Sequence, residues 1–308
     1  MTSESSPRIV DGGYKLALNP IQWFASADGY HDRTKGPTLE DVLALVRRAG
    51  FRAVPAAVPA GMDAAEYRRR LDDAGLLPAP GYFAVSSPEQ NVPAAEIVES
   101  ARKAAGQQAA FGQTHMFIAC GMPPPDSIRL RKPAVGSGED RGRLDLITDH
   151  IGRAAEVLTR EGVKAALHPH VGTWIETEAE ARQVLGAVGD GVLAFGPDTG
   201  HLAWTRADVP GMFRDFRDRI PVLHVKDIQT KVRDESLAAG RTYPQTVLAG
   251  LWAEPGAGDL DLDGLIAGLG ETFDGWIIIE VDRPALPPFD SAQASARWAR
   301  KLRRPTST

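Results

Sequence analysis

Val192-Leu-Ala-Phe-Gly-Pro-Asp198-Thr-Gly-His201, the stretch Asp208–Arg217, and Pro221-Val-Leu-His224-Val-Lys226-Asp227 decide the fold. A short apolar run, an amphipathic segment and a second short apolar run follow directly on one another. That is one strand–helix–strand unit, and such units build parallel sheets. The same pattern repeats in both directions. N-terminal to it, strand candidates fall at Tyr14–Asn19, Arg52–Val58, Ala79–Val85, His115–Cys120 and Lys164–His168; C-terminal to it, one falls at Trp276–Val281. Helices are expected over 38–50, opened by Thr38 with Asp41 as its capping partner, and over 63–74, closed by Gly75. Further helices are expected over 93–111, 144–161, 176–188, 261–269 and 291–302. Eight strand–helix units predict an α/β fold, a (β/α)8 barrel occupying residues 1–308 as one domain with its core over about 14–303. An open doubly wound sheet is the alternative, but the first strand lacks a following GxGxxG and no GxxxxGK[ST] occurs. The Gly-, Pro- and charge-rich stretch Gly121–Arg141 reads as a long loop.

The 308 residues are 43% apolar and 24% charged, ample for a core. The 31 glycines and 23 prolines imply many loops. A net charge of −5 argues against a generic nucleic-acid or anionic-membrane surface. Cys120 stands alone, so neither an internal disulfide nor a multi-thiolate metal site is available; within its apolar run it reads as a buried, inert thiol. The first thirteen residues hold no apolar leader, and no run approaches the ~20 residues that span a bilayer. A cytoplasmic protein is the expectation. The basic tail Lys301–Pro305 reads as the solvated end of the last helix.

In a barrel the C-terminal ends of the strands face the active site. Four consecutive strands here end in His168, Asp198, His224 and Glu280. Two imidazoles and two carboxylates suit a borderline divalent ion. Residues two apart share a strand face, so His170 stands beside His168, and Lys226 beside His224. His170 is then a candidate base and Lys226 a candidate stabiliser of an enediolate, against the plainer readings of a hydrogen-bonded loop histidine and an ion-pair partner of Asp227 or a neighbouring carboxylate. His31, in the loop after the first strand, and Trp23 and Trp252, in loops on the same side, are candidates for substrate contact, with simple packing the alternative for the tryptophans. Arg283 follows Glu280 closely enough to meet an anion. His115 starts a strand and His150 lies mid-helix; both read as structural.

At these residues the chain resembles the sugar phosphate isomerase/epimerase superfamily with the xylose-isomerase-like barrel, and within it the inosose dehydratases. Asn19-Pro-Ile-Gln-Trp23, His168-Pro-His-Val-Gly-Thr173 with Glu176, Asp198-Thr-Gly-His201, His224-Val-Lys-Asp227 and Pro255-Gly-Ala-Gly-Asp259 before Glu280 carry the resemblance over about residues 14–300. It implies a divalent metal, Mn²⁺ first, with Co²⁺, Mg²⁺ and Zn²⁺ as alternatives, held by His168, Asp198, His224 and Glu280, where His168 replaces the glutamate common in the superfamily. It implies His170 as general base, with Lys226 and Glu280 in the catalytic set. Asn19, Trp23, His31, Glu176, His201, Trp252 and Arg283 are taken as the substrate-facing set. The loop Phe24–Asp32 is longer than in the dehydratase-like branch, and Pro55-Ala56 replaces a glutamate frequent at the end of the second strand.

These residues predict a metal-dependent carbon–oxygen lyase acting on a keto-polyol or keto-sugar by enediolate formation and β-elimination. An epimerase or isomerase with Glu176 as second base, and a lyase cleaving 3-keto-glycosides, are the alternatives. An apurinic endonuclease needs more metal ligands and a basic face. A non-catalytic polyol-binding barrel would be indifferent to Asp198. The expected partner is a small molecule, with no nucleic acid, no membrane, and a homo-oligomer in keeping with the resemblance.

Overall fold

The computed structural model describes residues 13–305. The N-terminal stretch, residues 1–12, whose lack of an apolar run was read above, lies outside the described residues. Strands are β1 (Lys15–Leu18), β2 (Ala53–Pro55), β3 (Leu77–Ala79), β4 (Tyr82–Val85), β5 (His115–Cys120), β6 (Lys164–Leu167), β7 (Leu193–Phe195), β8 (Val222–Val225), β9 (Asp227–Ile228), β10 (Trp252–Ala253) and β11 (Trp276–Ile279). Parallel pairing runs β8–β11–β1, β2–β3 and β4–β5–β6–β7. The predicted third strand is split into β3 and β4, because Pro80 has no N–H to donate and the Gly81 N–H is taken by Gln108. β1 packs beside β2 without a ladder. The seam between β7 and β8 is joined at the site end, by the Asp198–His224 bridge and the His224 N–H donated to Pro197 O at 2.9 Å.

One residue from each stave fills the barrel interior: Ala17, Ala53, Ala79, Phe117, Ala166, Ala194, Val222 and Ile278. Five alanines leave room for the single large ring of Phe117. Residues of opposite parity, such as Met116, Ile118 and Leu167, face outward into the layer shared with the helices. Most of those helices begin within two residues of the expected start, but two begin three residues early, at Arg141 and Pro288. Thr38, Asp63, Asp140, Thr177, Asp208 and Asp261 each accept a backbone N–H in the first turn that follows. Gly50 closes Leu39–Ala49 at φ 109°, a conformation that favours glycine.

Several elements went unread in the sequence. Helices Thr199–Trp204, Thr230–Ala238 and Tyr243–Leu248 and the antiparallel pair β9–β10 lie between the expected strands and helices. Thr230–Ala238 buries Ser236 alone and so carries no apolar stripe to read. The long loop contains a single helical turn, Ile128–Arg131. The basic tail is not the end of the last helix, which stops at Ala299. Arg304 instead packs over the Tyr14 ring and donates to Gly13 O, pinning the tail to the start of β1. No helix among the described residues is long and apolar enough to cross a membrane.

Candidate metal and proton-transfer site

Strand parity builds the site in layers. Two residues above Ala166 stands His168, two above Val222 stands His224, and two above Ile278 stands Glu280. Above Ala194 comes Gly196 and then Asp198. A further step of two gives His170, Lys226 and Asp282. The Phe117 ring is the floor under the imidazoles, its centroid 4.2 Å from that of His224 and 5.2 Å from that of His168.

His168, Asp198 and His224 each offer a ligand atom within 4.8 Å of the others, and all three are buried. Asp198 Oδ2 lies 4.0 Å from His168 Nε2 and 3.7 Å from His224 Nδ1. Asp198 divides its carboxylate between two tasks. Oδ1 caps the helix Thr199–Trp204 by accepting the His201 N–H, whereas buried Oδ2 has no hydrogen-bond partner, and nor has His224 Nδ1. Buried polar atoms are rarely left unpaired, because each costs about 1–3 kcal/mol. His168 Nδ1 lies 3.3 Å from Gly196 O. A carbonyl only accepts, so Nδ1 carries the hydrogen and Nε2 turns a lone pair toward Asp198, as a ligating histidine does. Glu280 sits at the edge, Oε2 3.6 Å from His224 Nδ1, and is held by Asn19 Nδ2 and by Lys226 Nζ at 2.6 Å.

Electrostatics prepare these groups. Burial, then the neighbouring His224, hold His168 well below the usual imidazole range, so it is a neutral donor. Burial opposes ionisation of Asp198 and Glu280, but Lys226 and the imidazoles outweigh it and keep both carboxyls below their usual range. Lys226 is itself almost fully buried, and Asp282, Glu280 and Asp198 overcome that burial to keep it charged. Asp282 grips it with both oxygens at 2.8 and 3.0 Å. Three carboxylates surround one ammonium, leaving two negative charges to balance. Two orphaned ligand atoms, two imidazoles and that surplus fit a divalent cation.

Above this layer, His170 packs against His201 with centroids 3.7 Å apart and planes tilted by 41°. Its Nδ1 lies 2.8 Å from Val171 O and so carries the hydrogen, leaving Nε2 to accept a proton. Burial and the Lys226 charge hold its pKa down to about 4, so the ring is neutral at pH 7. His201 Nε2 is 3.2 Å from Lys226 Nζ, and Trp252 lies under both, its ring 5.0 Å from Nζ. Asn19, His168, His170, Asp198, His201, His224, Lys226, Trp252 and Glu280 thus converge.

Four expected substrate contacts do not join them. Glu176 is fully buried, and its oxygens accept the N–H groups of Gly172, Ala134 and Gly136 and face Arg129 at 3.1 Å. With every lone pair taken, it anchors the 121–141 segment and has no acceptor left for substrate. Arg283 donates through Nη1 to Ser26 O, which ties the first loop to the last strand end. His31, exposed, contacts Asp282 O through Nε2 at 2.9 Å. Trp23 packs, half-buried, against the core from the turn Pro20–Phe24. Lys226 pairs with Asp282 and Glu280, not with Asp227, whose carboxylate instead collects the N–H groups of Gly256, Gly258 and Leu260.

Tyr82, Tyr243 and Asp282 were missed. Asp282 had a signal, its spacing of two from Glu280. Tyr82 is 42% exposed, its ring in a T-shaped contact with His168 at 5.3 Å between centroids, and parity alone would have placed it, had the strand break been seen. Tyr243 stacks on Tyr30 and His170 from an element the sequence reading left unassigned.

Comparison with known proteins agrees with this geometry. Residues 43–302 match the model of the xylose isomerase-like TIM barrel family. An inosose dehydratase of Lactiplantibacillus plantarum is 29% identical over 163 residues, 51% of this chain and 53% of that one, so the chain spans about half the length of that relative. The rhizopine catabolism protein MocC of Rhizobium meliloti is 27% identical over 87% of this chain and 82% of its own. Among solved structures, a xylose isomerase-like TIM barrel protein from Mycobacterium smegmatis in complex with magnesium superposes with a TM-score of 0.67 at 16% identity, covering 94% of this chain and 96% of that one; it speaks to the fold. On the family match, set beside the layered barrel, the chain belongs to the xylose isomerase-like TIM barrel family.

Proposed function

We propose that the protein is a divalent-metal-dependent carbon–oxygen lyase acting on an uncharged keto-polyol or keto-sugar, with residues 14–303 working as one catalytic unit. The observation that carries this is the convergence of His168, Asp198 and His224, with two orphaned buried donor atoms, beneath a neutral His170. The inosose dehydratase among the relatives supports the same reaction class. A divalent ion held by His168, Asp198, His224 and Glu280 would polarise the substrate ketone and acidify the neighbouring C–H. His170 takes that α-proton at Nε2. Lys226 and its partner His201 face the enediolate oxygen that then develops, and the buried ammonium stabilises it. The β-hydroxyl departs as water, with protonated His170 the nearest acid. Trp252 and Tyr243 close the surroundings against bulk solvent.

The epimerase reading needs a second base on the opposite face, and Glu176, its candidate, has no free acceptor. The lyase is therefore preferred. The test strips the protein with chelator, restores Mn²⁺, Co²⁺, Mg²⁺ or Zn²⁺ singly, and adds an inosose or 3-keto-glycosides in D₂O. Metal-dependent loss of water or aglycone, abolished in His170→Ala, is the expected result. Deuterium uptake without elimination would move the protein to the epimerases, and no reaction with any metal would remove the assignment.

A further inference from the structure

We infer that Phe117, which reaches neither substrate nor metal, is a positioning residue that sets the angle between the two metal-binding imidazoles. The inference rests on the metal reading above. A ligating histidine is ordinarily oriented by a hydrogen bond from its other ring nitrogen. His168 has one, to Gly196 O. His224 has none among the described residues, so packing must fix its ring. The nearest ring is that of Phe117, centroid at 4.2 Å and planes at 56°, and the same ring meets the edge of His168 at 5.2 Å and 72°. The two imidazoles stand 4.8 Å apart at 72°, wedged by the benzene beneath them.

The rest of the barrel interior is arranged around that ring. The five alanines of the layer could not reach the imidazoles themselves. At Gly196 an added Cβ would lie 2.8 Å from Phe117 Cδ1. Gly196 is also the residue whose carbonyl holds His168, so the ring, the glycine and both ligands form one mechanical unit. Shortening the ring to a branched aliphatic chain keeps most of the apolar volume but loses the rigid ring against which His224 packs at 56°.

The test is equilibrium binding of Co²⁺ to the chelator-stripped full chain, read by calorimetry and by the visible d–d bands that report ligand geometry. Phe117→Leu is expected to weaken Co²⁺ binding about 10–100-fold, the size of other losses of ligand-orienting contacts, and to shift the bands. Ile118→Ala, the neighbouring residue facing outward into the helix layer, is the structural control. It should lower thermal stability at least as much while leaving affinity and spectrum unchanged. Should Phe117→Leu fail to fold, Gly196→Ala decides, with weakened binding expected. Wild-type affinity and spectrum in Phe117→Leu, or in Gly196→Ala where that variant decides, would overturn the inference alone. Absence of Co²⁺ binding by the unmodified protein would overturn the metal reading and the inference together.

Discussion

Two clusters of buried charge lie within this barrel, and they are built on opposite principles. In the first, Arg129 reaches Glu180 Oε1 at 2.6 Å and Glu176 Oε1 at 3.1 Å, while the remaining carboxylate oxygens accept backbone N–H groups from Ala134, Gly172, Glu176 and Thr177. In the second, Asp198 Oδ2 and His224 Nδ1 are buried without a hydrogen-bond partner among the described residues, Lys226 Nζ standing 3.6 Å from that Oδ2, and carboxylates outnumber cations. A closed network holds a loop in place; an open one has capacity left for a ligand. The sequence shows both only as acidic and basic residues scattered between strand ends, a loop and a helix start. What separates structure from function here is whether each buried carboxylate oxygen is satisfied; Arg129 Nε, in the first cluster, is buried without a hydrogen-bond partner of its own.

That contrast breaks or holds on substitution. The largest effect is expected for Asp198→Asn. Asparagine caps a helix as well as aspartate, so the Oδ1 bond to His201 N survives and the metal-free protein should unfold at nearly the same temperature. The ligand charge is lost, however. Turnover should fall by at least ~100-fold, more than the loss of an outer contact causes, and added metal should no longer raise the melting temperature. If Asp198→Asn instead failed to fold, the open cluster would be structural after all.

Arg129→Met should act in the opposite way. Removing one partner of a buried ion network leaves an uncompensated charge and costs about 3–5 kcal/mol, here with two carboxylates stranded. Metal affinity of the folded fraction should stay within about twofold. The penalty should also depend on pH. Burial already raises Glu176 above the usual carboxyl range, with the bound N–H groups and Arg129 pulling against it. Without the guanidinium its folded-state value rises further. A raised carboxyl value costs stability where the group must ionise, and the cost disappears as pH falls through that value. Melting curves should therefore show a smaller loss at pH 5 than at pH 8.

Glu176→Gln is the intermediate case. An amide keeps one acceptor oxygen but presents an N–H₂ to backbone N–H donors, for about 1–3 kcal/mol of destabilisation. Assayed below its melting transition, the variant should keep its kcat and KM within a few-fold. A large fall in kcat with unchanged stability would restore Glu176 to the substrate site and reopen the epimerase reading.

Much of this was legible beforehand, for identifiable reasons. The staves β5, β6, β8 and β11 read correctly because apolar runs bounded by Gly, Pro or charge leave few alternatives, and capping residues such as Thr38 and Asp208 sit at fixed offsets from their helices. The convergence of His168, Asp198, His224 and Glu280 follows from the barrel, since strand ends must meet there. The role of Glu176 was not legible, because its partners Ala134, Gly136 and Arg129 are some forty to fifty residues away in a segment without periodicity. Arg283 misled in the same way: a cation next to a site residue was in fact engaged by a carbonyl 257 residues distant. Phe117 reads as one more apolar strand residue until its seven neighbours in the barrel interior prove small or aliphatic.

The smallest effect is expected at the other end of the barrel, where the contrast can be sharpened most cheaply. A cleft of about 730 Å³ opens there among the strand starts, lined by Lys15, His115, Pro221 and Trp276. By size alone it would attract attention. Its charges differ from those at the mouth: Lys15 meets Asp274 at 2.8 Å with the aspartate side chain 74% exposed, and Arg217 pairs with an almost fully exposed Asp218. Such pairs are worth about 0–1 kcal/mol, since water solvates the partners nearly as well as they solvate each other. Lys15→Ala should accordingly shift the melting temperature by no more than a degree or two in low salt, less in high salt, and leave turnover and Co²⁺ affinity unchanged. In a (β/α)8 barrel the strand starts serve stability rather than chemistry, and here the exposed, mutually satisfied pairs say the same thing independently. A Lys15→Ala variant with impaired turnover but an intact melting curve would mean that cleft volume had been the better guide to function than the unsatisfied atoms of the buried site.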